Sequence, residues 1–244
     1  MERTEGTARL LTIAIDGPAG AGKSTVAQRV ASRLSYVYID TGAMYRGITW
    51  KVLQMGLNLW DADAIDALAR ETNVVLLPPQ SISEKQLVLV DGCDVTQDIR
   101  TPEVSAAVSR VAALSPVRAV LTTQQKEMGA RGGVVMDGRD IGTAVFPSAE
   151  LKIFLTASTR ERTRRRWQEF LAQGVEVSMD ALEREILARD EADSQREASP
   201  LRPAEDAIIV HSDDRSIDDV VDAIMALVSA RLGSPISAGP LDKN

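Results

Sequence analysis

Short apolar runs punctuate the chain, and segments with helical spacing separate most of them. LLTIAID (10–16), YVYID (36–40), GVVMD (133–137), KIFLTA (152–157) and AIIVHS (207–212) are continuous runs with little polar alternation. Strands have this character when helices cover both faces of a parallel sheet. After the first run, KSTVAQRVASRL brings Val26, Val30, Ala31 and Leu34 to one side of a helix. The alternation predicts an α/β fold of three layers with a mainly parallel sheet. The last helix is bracketed by its ends: Ser216 caps it, Asp218 and Asp219 fall in its first turn, and Gly233 follows it. Its predicted core-facing stripe is Ile217, Val220, Val221, Ile224, Leu227 and Val228.

Two segments break the alternation. VVLLPP and QLVLVDG, within 73–95, are β-like runs around a polar turn and predict an antiparallel piece of an inserted lobe. RERTRRR (160–166) packs five arginines and one glutamate into seven residues. There is no internal repeat. The polar start (1–8) and the end (233–244) read as flexible tails, and MERTEGTARL carries acids where a signal peptide would not.

Composition narrows the function classes. The chain has 244 residues, 44% of them hydrophobic, which suffices for one substantial core with a small lobe. No apolar run approaches the ~20 residues of a membrane helix. A net charge of −7 argues against broad binding to nucleic acid or to a membrane surface. The single Cys93 excludes an internal disulfide, fits a cytoplasmic location and reads as a small buried or half-buried side chain. The lone His211 has no second metal-type ligand spaced near it and reads as structural.

The most specific signal is DGPAGAGKST (16–25). Gly17, Pro18, Ala19, Gly20, Ala21, Gly22, Lys23, Ser24 and Thr25 form a phosphate-binding loop between a strand and a helix. Its glycines let backbone N–H groups converge on phosphate oxygens at a helix N-terminus. Lys23 reaches the β and γ phosphates, and the Ser24 hydroxyl is a ligand for Mg²⁺. In VVMDGRD, Asp137 ends a strand and is placed to hold Mg²⁺ through water. Arg139 is a fork-shaped phosphate donor with Asp140 beside it as an acceptor, at the ligand-binding edge of the sheet. The guanine-reading Asn-Lys-x-Asp of GTPases and the Asp-Glu strand end of large ATPase motors do not occur. These residues alone leave the phosphoryl acceptor open among a nucleoside monophosphate, another small molecule such as shikimate, and a switch module without turnover.

Four blocks in order, IDGPAGAGKST, YIDTGAMYRG, DGRDIGTAVFP and KIFLTASTRERTRRR, together resemble the bacterial cytidylate kinases, over about residues 11–232. The resemblance implies a P-loop kinase core (9–43, 113–157 and 202–232), an NMP-binding lobe (44–112) and a short arginine-rich lid (158–201). It implies transfer of phosphate from ATP to CMP or dCMP by a monomer. Carried over by position, Thr41 and Arg46 lie near the CMP phosphate, and Ser109 and Arg118 of SRVAALSPVR face the cytosine ring. Arg139 holds the acceptor phosphate and Asp140 the base, while in RDEADSQR Asp193 takes the ribose hydroxyls and Arg189 and Arg196 take phosphate. Thr41 stands where some relatives have serine, and the hydroxyl is kept. The lid departs from the family in its exact arginine positions; Arg162 and Arg165, with Lys23 and Arg139, are the expected catalytic cations. A carboxylate on the exocyclic amine with Ser and Arg on the ring acceptors would satisfy cytosine, whereas uracil would turn a carbonyl towards Asp140.

Overall fold

The computed structural model describes residues 10–78, 86–172 and 174–233. Five strands, β1 (Thr12–Asp16), β2 (Val37–Asp40), β6 (Val134–Gly138), β7 (Leu151–Thr156) and β8 (Ile208–His211), form a sheet in the order β2-β6-β1-β7-β8. Every neighbouring pair is parallel. All five expected runs are strands: β1, β2 and β8 lose a residue or two at their ends, and β6 and β7 keep their length but shift by one residue. β1 is buried along its whole length. Its Ile13 and Ile15 face the helix pair α1 (Lys23–Leu34) and α8 (Ile217–Leu232), and Ala14 joins Ile39 and Met136 on the other face. That two-sided burial is why these strands read as unbroken apolar runs.

α8 begins on a capping box: the Ser216 hydroxyl accepts from the Asp219 N–H while the Asp219 carboxylate accepts from the Ser216 N–H. The stripe is one residue shorter than expected. Ile217 is 42% exposed, because the first turn projects past the sheet towards the cleft described below.

The second apolar cluster lies beside the sheet. It joins α2 (Thr41–Gln54), α3 (Ala62–Glu71), α4 (Pro102–Ala113) and α5 (Ser115–Gly129) to a small antiparallel sheet of β3 (Val74–Leu77), β4 (Leu87–Val90) and β5 (Cys93–Asp94). The antiparallel insert is therefore present, with a third short strand that two residues could not announce. The polar turn expected between β3 and β4 and both expected tails lie outside the described residues, Gly233 excepted. Cys93 is exposed, against expectation, on the two-residue edge strand β5. Beyond β7, the arginine run opens α6 (Thr159–Ala172), which packs on α7 (Met179–Gln195). Among the described residues no single helix is long and apolar enough to cross a membrane.

Candidate active site

The chain leaves β1 at Asp16 and curls through 17–22 into α1. Gly17 has φ +148°, and a Cβ there would fall 2.0 Å from the Leu155 carbonyl oxygen of β7, so only glycine lets the loop pass. Lys23, the first residue of α1, is buried, and its ammonium donates to the Pro18 carbonyl across the loop at 2.7 Å. Ser24 donates from its hydroxyl to Asp137 Oδ2 at 2.8 Å, and Tyr38 donates to Asp137 Oδ1 at 3.0 Å. Burial pulls the Lys23 ammonium down to about 7, helped by the Arg139 charge, and pushes Asp137 up to about 7, helped by Asp40. Each charge opposes the other's shift. A hydroxyl beside a buried carboxylate, with Asp40 near, is a hard-oxygen donor set of the kind that suits a magnesium ion.

The second half of the site grows from the end of β6. Gly138 sits so close to α2 that a Cβ would meet Thr41 Oγ1 at 2.7 Å. Thr41 donates its hydroxyl to the Asp137 carbonyl at 2.7 Å, and Asp40 caps α2 by accepting from the Ala43 N–H at 2.9 Å. Arg139 Nε reaches Asp193 of α7 at 2.9 Å. Burial opposes ionisation of Asp193, yet the Arg139 guanidinium holds its carboxyl below the usual range. Asp140 Oδ2 accepts from Arg118 of α5 at 2.5 Å, and its Oδ1 lies 3.6 Å from Arg196. Arg118 also donates to the Ala112 carbonyl at 3.0 Å and lies 5.2 Å from the centre of the Tyr45 ring. A single π-helical turn (Ile141–Val145) follows Asp140.

That turn is held by Asp16, a residue sequence reasoning passed over except as the end of a strand. The Asp16 carboxylate accepts from the Ile141 N–H at 2.8 Å and the Gly142 N–H at 2.7 Å. The last residue before the phosphate loop thus anchors the backbone just after Arg139 and Asp140. Burial, opposed by those two N–H donors, raises the Asp16 carboxyl to about 6.

These groups open onto one cleft of about 620 Å³. Along its wall lie the loop 19–25, Asp137, Ser109 of α4, and Thr41, Tyr45 and Arg46 of α2, together with Arg118, Arg139, Asp140, Arg189, Asp193 and Arg196. All nine residues expected around the acceptor therefore face the same space. Arg46 is fixed by the Ser105 hydroxyl at 2.9 Å and the Ile99 carbonyl at 3.3 Å, and the buried Arg189 Nε has no hydrogen-bond partner. Burial and neighbouring arginines lower both guanidiniums to about 10. Arg100, from the 3₁₀ turn Asp98–Arg100, also lines the cleft, 3.9 Å from Asp40; no motif pointed to it.

The arginines of α6 divide by face. Arg162 is buried, turned towards the Ala157 and Ala19 carbonyls at 3.1 Å each and paired with Asp190 at 2.6 Å. It bolts α6 to the phosphate loop and α7, and does not line the cleft. Arg165 does line it, held by Glu161 at 2.8 Å and the Ser212 carbonyl at 2.6 Å. Arg164, with a half-exposed side chain, and Arg166 line it as well.

A phosphate-cradling loop facing an arginine-lined pocket for a second ligand defines a P-loop phosphotransferase. The family model described as Cytidylate kinase matches residues 13–230, and the chain belongs to the cytidylate kinase family. A cytidylate kinase of Desulforamulus reducens is 55% identical over 216 residues, 88% of this chain and 96% of its own. One from Geobacillus kaustophilus is 51% identical over 225 residues, 92% of this chain and 99% of its own. A bifunctional pantoate ligase/cytidylate kinase of Trichormus variabilis is 53% identical over 90% of this chain, which spans 41% of that longer protein. A shikimate kinase from Acinetobacter baumannii in complex with shikimate aligns over 91% of this chain and 95% of its own, at 14% identity and a TM-score of 0.46, too distant to bear on function.

Proposed function

We infer that the protein transfers the γ-phosphoryl group of ATP to CMP or dCMP, giving ADP and CDP or dCDP. The observation that carries this reading is the buried Arg118–Asp140 pair in the wall of the cleft that Lys23 also lines. A carboxylate offers about four lone-pair directions. With Oδ2 on Arg118, Asp140 Oδ1 accepts the exocyclic amine of cytosine. The Arg118 Nε–H, buried and without a hydrogen-bond partner, and the Ser109 hydroxyl are donors for the ring nitrogen and carbonyl. Uracil sets a carbonyl against Asp140 and leaves buried acceptors facing each other, a penalty of ~1–3 kcal/mol.

Thr41, Arg46, Arg139, Arg189 and Arg196 surround the acceptor phosphate in this reading, and Asp193 takes the ribose hydroxyls. The 17–25 loop holds the donor nucleotide, with Lys23 between the two phosphate chains. Mg²⁺, when bound at Ser24 and through water at Asp137, neutralises the β and γ phosphates. Transfer then needs positioning and charge neutralisation with no general base. Lys23, Arg139 and Arg165 cancel the repulsion between donor and acceptor, and Arg162 serves by holding α6 over the loop. Closure of the lid (158–201) on the core (9–43, 113–157, 202–232) and the NMP-binding lobe (44–112) keeps water from the γ-phosphate. We place the enzyme in the cytoplasm as a monomer, a single domain over 9–232 in pyrimidine nucleotide metabolism.

A coupled ADP-release assay with ATP and a panel of monophosphates tests this. CMP and dCMP should exceed UMP by roughly ten- to a hundred-fold, the equivalent of the penalty above, with AMP and GMP negligible. Turnover of UMP equal to CMP would remove the assignment of the base edge.

A further inference from the structure

We propose that Gln86, just before β4, is a positioning residue for the acceptor half of the cleft. β2 is the edge strand of the main sheet, and its free backbone groups need partners. Gln86 provides them from the insert. Its side-chain oxygen accepts from the Asp40 N–H at 3.0 Å, and its side-chain NH₂ donates to the Tyr38 carbonyl at 2.7 Å. A carboxamide has the donors and acceptors of a peptide group, so one side chain serves as a further rung on the sheet. The residue is 4% exposed, which gives the bonds little competition from water.

The backbone it grips joins β2 to the start of α2. The Asp40 carboxylate caps α2, stands 3.9 Å from Arg100 and is the leading charged neighbour that raises Asp137. α2 carries Thr41, Tyr45 and Arg46 into the cleft. Further along the same helix, the Ile99 carbonyl and Ser105 hydroxyl hold Arg46. α2 is therefore gripped near its start by the insert and again at Arg46 by the 3₁₀ turn and α4, and Gln86 is the grip nearest the phosphate-facing end. Loss of this grip loosens the acceptor-binding turn directly and reaches the donor loop (17–25) only through the Tyr38–Asp137–Ser24 chain, so the acceptor side should feel it most.

The substrate side of this inference rests on the function proposed above, so its test has a readout that needs no substrate. Gln86→Met keeps the length and removes both hydrogen bonds. Amide hydrogen exchange at Asp40 should accelerate by roughly tenfold or more in the free protein, with the phosphate-loop amides changed less. With substrates, KM for CMP should rise roughly tenfold while KM for ATP stays within about twofold. Gln86→Leu, which also removes both hydrogen bonds, should show the same exchange and the same split and serves if the Met variant does not fold. Unchanged exchange at Asp40, or KM values for ATP and CMP that rise together, would overturn the proposal. Absence of CMP turnover by the unaltered enzyme would instead count against the function.

Discussion

Replacing Asp140 by Asn separates the base-reading role of this side chain from its structural role. In the folded protein the Asp140 and Arg118 side chains are each 5% exposed and meet at 2.5 Å, with the Arg196 guanidinium 3.6 Å away on the other side. Removing the charge leaves two buried guanidiniums facing a neutral amide. Breaking a buried pair costs ~3–5 kcal/mol, and because the amide oxygen still accepts from Arg118 the lower end applies, about 3 kcal/mol. For a chain of this size that lowers Tm by roughly 6–12 °C, so assays belong at 20–25 °C, where about 3 kcal/mol leaves a protein of ordinary stability folded.

The second effect is on selectivity and has its own sign. The carboxylate only accepts, which suits the cytosine amine; a carboxamide also donates, which suits the uracil carbonyl. The ~1–3 kcal/mol that disfavours UMP should largely vanish, so the CMP-to-UMP ratio of kcat/KM should fall by roughly ten- to a hundred-fold towards unity. KM for ATP should stay within about twofold, because neither ion-pair partner of Asp140, Arg118 nor Arg196, belongs to the 17–25 loop. Initial rates by coupled ADP release with each monophosphate, together with a thermal melt, measure both effects. If CMP and UMP lose activity in parallel and the ratio survives, Asp140 supports the pocket and does not read the base.

Two further outcomes rest on other parts of the site. With Lys23 lowered to about 7, most of it is neutral at pH 8, and the phosphates of ATP favour the ammonium; binding should therefore take up close to one proton at pH 8 and much less at pH 6, where Lys23 already carries it. Calorimetry of ATP binding in buffers of different ionisation enthalpy measures the uptake, and equal values at the two pH values would contradict it. On α6, Arg162→Ala should cost ~3–5 kcal/mol of stability by stranding the Asp190 carboxylate, whereas Arg164→Ala should change stability by about 0.5 kcal/mol or less and lower kcat. A melt and a rate for each variant decide it; a destabilised Arg164→Ala with normal kcat would reverse the assignment of faces.

The sheet and the phosphate loop were legible because their signals are local. A strand covered on both faces must be apolar at consecutive positions, and a loop that brings its backbone against Leu155 must carry Gly17. Arg139 and Asp140 stand out from their motif at a strand end, whereas Ser109, Arg118 and Asp193 are expected only through the resemblance, since no spacing rule links them. The rest was hidden by distance along the chain. Asp16 looks like the end of an apolar run, and its partners at 141 and 142 lie 125 and 126 residues away. Gln86 is one polar residue before a strand until β2 is placed beside it. Arg162 and Arg164 are equivalent in sequence; the contact of α6 with α7 decides which points inward. The exposed Ile217 has the same origin, because helical periodicity cannot show where a sheet stops beneath a helix.

The cleft gathers many positive charges, and its carboxylates offset their mutual repulsion. Arg118 rests on Asp140, Arg139 on Asp193, Arg165 on Glu161, and Arg100 stands near Asp40. Each pair limits repulsion among cations whose ionisation burial already disfavours, as the lowered Arg46 and Arg189 attest. None of these arginines uses every donor on its carboxylate, and the buried Arg100 and Arg189 Nε groups are unpartnered. Five N–H groups on a planar fork let one guanidinium keep an acid and take an anion together. A phosphorylated ligand therefore adds charge to pairs already in place and does not have to break them. That geometry favours tight positioning over a large rearrangement of the arginines, which is what transfer between two mutually repelling phosphates requires.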